Sequence, residues 1–449
     1  MDKLIISISG IRGIYGKTLK QEDALLLGKA FGLWTGGKNI AIGRDTRLSG
    51  DVIKLSFMAG LLGMGGDVYD FGIVATPALT WFVEKTSGFY GSVITASHNP
   101  VDYNGIKLIN SSGTFLNLKQ SQSFFRIYRD IKNKTRKKPG CYCSDSGLMN
   151  RFFSDLLDCI DVSAIKKQKF KVVVDPVQGV GSLYSKFFLE MLGCDVVMIN
   201  NEPPGVFSHN PEPVPSHLTQ LSKAVKQEKA DIGFAQDPDG DRLAMIANNG
   251  MCVSEEYGLA MLIYWMLKRK KGPVVVNIAT TKLIDEICHR AKVRVFRSRV
   301  GEVCVVEKMK KIGATAGGEG NGGIILPEFH YGRDSFVGMA LTLEMLAKTS
   351  LTLSEILKQF PHYYFIKKKI RFSQKNLEGL YGHLKENFSS GRISRLDGLR
   401  IDFDDVWFGI RPSGTEPIVR IFVEGKTRKK VDHLMKEIKK CINLFCKTV

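Results

Sequence analysis

The sequence predicts an α/β protein: three similar α/β domains with mixed, mostly parallel sheets, followed by a smaller C-terminal α+β domain. Three observations carry this. A chain of 449 residues has room for about three domains at roughly 150 residues each. One strand–helix–strand pattern recurs three times, and internal repeats of this kind decide architecture. After about Phe365 the continuous apolar runs give way to short alternating ones.

The first repeat opens with the β-branched run NIAIGRD from Asn39, continues through the helical stretch VIKLSFMAGLLGMGG and closes with DVYDFG. The second reads KVVVDP from Lys171, then SLYSKFFLEMLG, then DVVMIN; the third reads PVVVNIA from Pro273, then TKLIDEICHRA, then VRVFRS. Short continuous apolar runs separated by amphipathic stretches indicate parallel strands covered by helices on both faces. Right-handed crossovers follow. In the last segment LRIDF, VWFGIRP and IVRIFVEG precede the helical tail VDHLMKEIKKCINLF, the pattern of an antiparallel sheet with a helix on one side. The stretch 132–147, with Pro139 and Gly140, and PEPVP at 211–215 read as loops. The expected domains are 1–150, 151–254, 255–364 and 365–449.

Composition excludes several classes. With 44% hydrophobic residues and 26 Phe, the chain is too apolar for disorder, although 64 basic against 45 acidic side chains leave a net charge of +19. The longest apolar stretch, Gly258 to Leu267, is far shorter than the roughly 20 residues of a membrane-spanning helix. MDKLIISISGIRG lacks the features of a secretory signal, so a cytoplasmic protein is expected. Nine scattered cysteines without any CxxC read as free thiols in a reducing compartment. The basic clusters Lys134–Lys138, Lys268–Lys271, Lys367–Lys369 and Lys426–Lys430 are short and far apart, and read as solvated surface. Nucleic-acid grooves interleave basic residues with stacking aromatics, which these runs do not. No nucleic-acid or membrane partner is expected.

Four segments carry chemistry. Thr95-Ala96-Ser97-His98-Asn99-Pro100 follows the apolar run GSVI, and the Asn-Pro turn displays Ser97 at a strand end. A serine hydroxyl is a weak nucleophile until a base or charged surroundings activate it; His98 and Lys107 are near in sequence. Alone, such a pair is a common turn cap, so the function needs a second site. Asp237-Pro238-Asp239-Gly240-Asp241-Arg242 follows IGFAQ and brings three carboxylates to one bend. Each close pair repels by ~4 kcal/mol at ~4 Å and an effective dielectric of ~20, so a cation is the natural counter-charge. An EF-hand is excluded, because its position six is Arg242 rather than Gly and its position twelve is Asn248 rather than Glu. Few, hard oxygen donors suit Mg²⁺.

The third segment, Gly317 to Gly323, contains a formal GxGxxG, but the strand-like IILPEF follows where a dinucleotide site needs a helix. It reads instead as a flexible loop presenting Glu319 and Asn321 to neighbouring hydroxyls of a polyol. The fourth, Arg411-Pro412-Ser413-Gly414-Thr415-Glu416-Pro417, combines a guanidinium, two hydroxyls and a glycine turn, the equipment of a phosphate cradle.

In this order and combination, TASHNP, DPDGDR, GGEGNGG and RPSGTEP resemble the α-D-phosphohexomutase family, which comprises phosphoglucomutases, phosphomannomutases and phosphoglucosamine mutases, over essentially the whole chain. The resemblance implies domains around a central cleft and interconversion of hexose or hexosamine 1- and 6-phosphates through a hexose 1,6-bisphosphate. It implies that Ser97 is the phosphorylated residue and that Asp237, Asp239 and Asp241 hold Mg²⁺ with an oxygen of phospho-Ser97. Arg242 and Arg12 would neutralise the transferring group, and His98 and Lys107 would serve in proton transfer or charge stabilisation. Glu319 and Asn321 would recognise the sugar in two orientations, while Arg411, Ser413, Gly414 and Thr415 would grip the phosphate that stays put. Many relatives read Gly-Glu-x-Ser-Gly-His in the sugar loop; here Asn321 stands for Ser and Gly323 for His, and Val300-Gly301-Glu302 lacks a His that some relatives carry. The competing functions are a metal-dependent sugar phosphatase and a basic nucleic-acid-binding protein.

Overall fold

Continuous β-branched runs bury both faces of a strand, and helices must then cover both sides of the sheet. The computed structural model, which describes all residues except 1–3, 8–9, 135, 137, 203, 374–375, 413–417 and 449, contains three such sheets with one shared four-strand order. In the first sheet Tyr103–Ile109, Phe89–Ile94, Asn39–Arg44 and Val68–Ile73 are neighbours. Leu243–Ala247, Ile232–Gln236, Lys171–Asp175 and Asp195–Met198 take those places in the second. In the third they are Gly323–Ile325, Ala316–Glu319, Val274–Asn277 and Val295–Ser298. In every case the last three strands are parallel and the first runs antiparallel to its neighbour. The crossover helices of the repeats are Gly50–Gly63, Gly181–Met191 and Leu283–Ala291.

The first sheet is extended by Ile5–Ser7 and Gly10–Ile14 on one edge and by Tyr142–Ser144 on the other. The last strand corrects the expectation of a loop over 132–147: it pairs in parallel with Val68–Asp70. All three of its residues are exposed, so no apolar alternation announces it.

The C-terminal sheet is wholly antiparallel, with Ile418–Gly425 between Tyr364–Arg371 and Val406–Pro412. The helix Arg428–Thr448 packs on it through Val431, Leu434, Met435 and Ile438. Between the second and third sheets runs Ser335–Thr349, buried from Ser335 to Ala347. A helix apolar all round belongs in an interior. Phe336 on it meets Phe153 (5.1 Å between centroids) and Phe188 (5.5 Å), and Phe152 meets Trp81 (5.7 Å), which ties the first three domains to one aromatic junction. None of the described helices is long and apolar enough to cross a membrane. All nine cysteines are unpaired.

This topology fixes where three of the four chemical segments lie. Residues 95–102 join the antiparallel strands Phe89–Ile94 and Tyr103–Ile109, 237–242 join Ile232–Gln236 and Leu243–Ala247, and 320–322 join Ala316–Glu319 and Gly323–Ile325. Each is thus the connection of an antiparallel pair beside a parallel core. Phe89–Ile94 also runs parallel to Asn39–Arg44, so the Ser97 segment lies beyond the carboxyl end of a parallel strand, as expected.

Candidate active site

The backbone around Ser97 is shaped by buried hydrogen bonds. Ser97 has φ 50°, a left-handed conformation that costs a non-glycine residue on the order of 1 kcal/mol or more. Its N–H donates to Thr95 Oγ1 (2.8 Å), whose hydroxyl donates to Asp45 Oδ2 (2.6 Å). Arg47, fully buried, donates through Nε to Asp45 (3.1 Å), through Nη2 to the carbonyls of Ser97 (2.7 Å) and Asn99 (2.6 Å), and through Nη1 to those of Pro100 (2.5 Å) and Tyr103 (2.7 Å). A guanidinium has five N–H groups, and all are used. The ring of Phe207 lies 4.9 Å below it.

So held, the Ser97 hydroxyl donates to Asp237 Oδ2 at 2.8 Å, across 140 residues of sequence. Asp237, Asp239 and Asp241 are buried, and one oxygen from each lies within 4.8 Å of the others. Asp237 Oδ1 accepts from the backbone N–H groups of Asp241 (3.1 Å) and Arg242 (3.0 Å). Asp239 Oδ2 accepts from Lys107 Nζ (2.6 Å) and from the Thr76 hydroxyl (2.7 Å). Asp241 Oδ2 accepts from Lys107 Nζ (3.2 Å) and Arg333 Nη2 (2.6 Å). The other oxygens, Asp239 Oδ1 and Asp241 Oδ1, are buried without a hydrogen-bond donor. Buried carboxylate oxygens are ordinarily satisfied, and two orphans within one carboxylate trio fit a cation.

The electrostatics divide the ionisable groups. Burial and the neighbouring Asp241 and Asp239 push the Asp237 carboxyl up. At Asp241 burial is outweighed by Arg333, Lys107 and Arg242, which hold it well below the usual carboxylate range. At Lys107 burial is outweighed by Asp239 and Asp241, so it stays an ammonium. Arg242, burial and Arg12 all lower the His98 imidazole, which is neutral with Nδ1 3.3 Å from Ser97 Oγ. Burial lowers Arg12 to about 10, still a cation at neutral pH; its Nη1 donates to Asn99 Oδ1 (2.7 Å). Arg242 lies near Asp241 Oδ1 (3.7 Å) and Glu212 (3.9 Å). Four cations from different segments therefore surround the serine and the three carboxylates, an arrangement suited to a transferring anionic group.

The sugar-loop expectation needs correction. Gly317–Glu319 and Gly323–Ile325 form a tight hairpin, with Gly322 at φ 84°, instead of a flexible loop. Glu319 is already engaged: Oε1 accepts from Asn277 Nδ2 (3.0 Å) and the Gly301 N–H (2.8 Å), and Oε2 accepts from Arg333 Nη1 (3.2 Å). In the orientation its neighbours dictate, the Asn321 amide donates to the Glu319 carbonyl (3.2 Å) and accepts from Arg333 Nη1 (3.0 Å). Little free hydrogen-bonding capacity remains on Glu319 for a polyol.

Arg411 stands apart from this cluster, its Nε donating to Asp397 Oδ2 at 2.8 Å. Asp397 Oδ2 also accepts from the Val300 N–H (2.8 Å), which joins the last domain to the third. Ser413, Gly414 and Thr415 lie outside the described residues. Sequence reasoning missed Arg47, Thr76, Asn277, Glu302 and Arg333. The one available signal was position: Arg333 immediately precedes Asp334, the N-cap of the buried helix, and a charge at the mouth of an apolar helix needs a partner.

Four family models match the chain in order: phosphoglucomutase/phosphomannomutase alpha/beta/alpha domain I over residues 4–136, domain II over 150–250, domain III over 254–364, and the C-terminal domain over 367–440. The chain is similar to a phosphoglucomutase/phosphomannomutase of Thermococcus kodakarensis, with 37% identity over 94% of each chain. A phosphoglucosamine/phosphogalactosamine mutase of Sulfurisphaera tokodaii is 33% identical over 98% of this chain and 99% of its own. The fold resembles the crystal structure of a phosphoglucomutase/phosphomannomutase family protein from Burkholderia thailandensis, with TM-score 0.86, 26% identity and 98% coverage of both chains.

Proposed function

Because the chain belongs to the phosphoglucomutase/phosphomannomutase family of intramolecular phosphotransferases, we propose that it interconverts the 1- and 6-phosphates of a hexose or hexosamine through phospho-Ser97 and a hexose 1,6-bisphosphate. The observation that carries this reading is the Ser97 hydroxyl bonded to Asp237 at 2.8 Å inside a ring of cations. In the first half-reaction the bond from Ser97 Oγ to phosphorus breaks and one from a sugar hydroxyl forms, while the hydroxyl proton passes to the serine oxygen. In the second, the bond from the bisphosphate's other sugar oxygen to phosphorus breaks, the Ser97 Oγ bond to phosphorus re-forms, and the serine proton passes to that sugar oxygen. Neutral His98, with Nδ1 at 3.3 Å from Oγ, relays that proton, and Lys107, held as an ammonium, stabilises charge. Arg12 and Arg242 neutralise the equatorial oxygens, the main requirement of phosphoryl transfer.

The two orphaned oxygens support Asp237, Asp239 and Asp241 as holders of Mg²⁺, which when bound would neutralise further charge on the phosphoryl group. Arg411 with Ser413, Gly414 and Thr415 grips the distal phosphate. At the hairpin Glu319, with one acceptor site left on Oε2 beside Arg333, and Asn321 meet the sugar. With domains at 1–150, 151–254, 255–364 and 365–449, each contributes one loop to a shared cleft. Nine unpaired thiols suit a reducing cytoplasm.

The test is turnover of glucose, mannose and glucosamine 1-phosphates with Mg²⁺ and a trace of hexose 1,6-bisphosphate. Ser97→Ala should abolish formation of every 6-phosphate, by at least ~10³-fold. Near-normal turnover in that variant, or release of inorganic phosphate by the unaltered protein in place of a 6-phosphate, overturns the mutase reading; the second outcome points to a phosphatase.

A further inference from the structure

Arg333 is buried among three carboxylates from three segments. Its Nε donates to Glu302 Oε2 (2.9 Å), Nη1 to Glu319 Oε2 (3.2 Å) and Nη2 to Asp241 Oδ2 (2.6 Å). Glu302 opens the helix Glu302–Ile312 and Glu319 ends the strand Ala316–Glu319, both in the third domain, while Asp241 lies in the 237–242 connection of the second. One rigid, planar fork therefore fixes the distance between the sugar hairpin and the aspartate trio.

Two features show that this fork is built in. At Asp241, Arg333 and Lys107 both donate to Oδ2, so Oδ1 is the oxygen left without a donor. Rotating that carboxylate would break both bonds. At Gly323, a Cβ would lie 2.2 Å from Arg333 Cδ and 2.8 Å from Cγ. Gly323 pairs with Glu319 in the hairpin and is not among the residues of positive φ. The backbone there would accept a side chain, and the arginine is the main obstacle to one, with the Asn321 amide next at 3.2 Å. Gly323 is also one of the two positions at which this loop departs from the Gly-Glu-x-Ser-Gly-His pattern, and Arg333 runs through the space beside it.

We infer that Arg333 is a positioning residue: it turns the free oxygen of Asp241 toward the cation site and locks the Glu319 carboxylate in register with it, through the space that Gly323 leaves open. The inference rests on the reading of the aspartate trio as a divalent-cation site. Partners that orient metal-binding carboxylates commonly contribute 10–100-fold to metal affinity. Here the same contact also sets the sugar hairpin, so metal affinity and sugar-phosphate KM move together.

The experiment measures Mn²⁺ binding to the full-length protein by electron paramagnetic resonance, alongside KM for hexose 1-phosphate. The variants are Arg333→Lys, Arg333→Ala, Gly323→Ala and the double Gly323→Ala/Arg333→Ala. Arg333→Lys keeps the charge but cannot bridge three carboxylates, and should weaken Mn²⁺ at least tenfold and raise KM. Gly323→Ala should do the same by displacing the arginine. In the double variant the clash is gone, so Gly323→Ala should add less than twofold to Arg333→Ala, a non-additivity that general loosening does not produce. If Arg333→Ala does not fold by circular dichroism, the two conservative single variants decide the matter. Mn²⁺ affinity within twofold of the unaltered protein in folded Arg333→Lys and Gly323→Ala overturns the inference while leaving the cation site standing. Absence of Mn²⁺ binding in the unaltered protein overturns both.

Discussion

Ser97 is displayed by strain that its surroundings hold in place. A serine at φ 50° relaxes unless its neighbours over-determine it, and Arg47 does so by gripping the carbonyls of Ser97, Asn99, Pro100 and Tyr103. Lysine keeps the charge but has three donors where arginine has five. Arg47→Lys should therefore let the loop relax, and misplacement of a reacting group by ~1 Å costs about 10²-fold in rate. Steady-state kinetics should show turnover falling on that scale with sugar-phosphate KM within threefold; unchanged turnover with a raised KM would place Arg47 in substrate binding instead. TASHNP, read as a sequence, exposed the serine. It did not expose Arg47, which lies 50 residues away in a segment that reads as an ordinary turn.

At the scale of elements, the repeats were legible because each strand is a continuous β-branched run and each helix has a covered face. Val172, Val173 and Val174 are fully buried, as are Val274, Val275 and Val276. Tyr142–Ser144 was not legible, since an exposed edge strand owes its pairing to the neighbouring backbone and not to its own side chains. The Gly317–Ile325 hairpin was misread as flexible because glycine permits both disorder and tight turns. In the structure those glycines admit close neighbours: a Cβ at Gly318 would meet the Gly323 carbonyl at 2.4 Å, and one at Gly320 would meet Glu256 Oε2 at 2.2 Å. The same device joins helices Gln21–Trp34 and Gly50–Gly63, where a Cβ at Gly28 would lie 2.0 Å from the Phe57 carbonyl and one at Gly60 2.2 Å from that of Leu25. Such contacts depend on the partner helix, so composition alone does not distinguish these glycines from turn glycines.

Across the whole molecule the site exists only where domains meet. Ser97 reaches Asp237, Thr76 reaches Asp239, and Ser335 donates to the Gly240 carbonyl (2.6 Å). The last domain is tied to the third through buried Glu424, which accepts from the Lys282 N–H (2.7 Å) and Trp407 Nε1 (2.6 Å), and through Lys367, paired with Glu256 at 3.0 Å. Contacts so remote in sequence leave no local pattern. Glu256 makes this interface sensitive to pH. Burial raises its carboxyl from 4.5 to about 7, against the opposing pull of Lys367 and the Thr281 N–H. A carboxyl raised in the folded state favours the fold fully below the unfolded value of 4.5, and that contribution, of order ~3 kcal/mol, is lost as pH rises through about 7. Urea denaturation should accordingly show the advantage of the unaltered protein over Glu256→Gln shrinking from pH 5 to pH 8, whereas a constant difference would mean that Glu256 does not titrate in this window. The chemistry itself is tested most directly by incubating the full-length protein with Mg²⁺ and hexose 1,6-bisphosphate radiolabelled in phosphorus, then mapping the label by peptide mass analysis. The label should sit on Ser97, approach one per chain and be chased off by unlabelled hexose 1-phosphate. Label on another residue, or none while 1- and 6-phosphates interconvert, would contradict a phosphoryl group carried by Ser97 against the three aspartates.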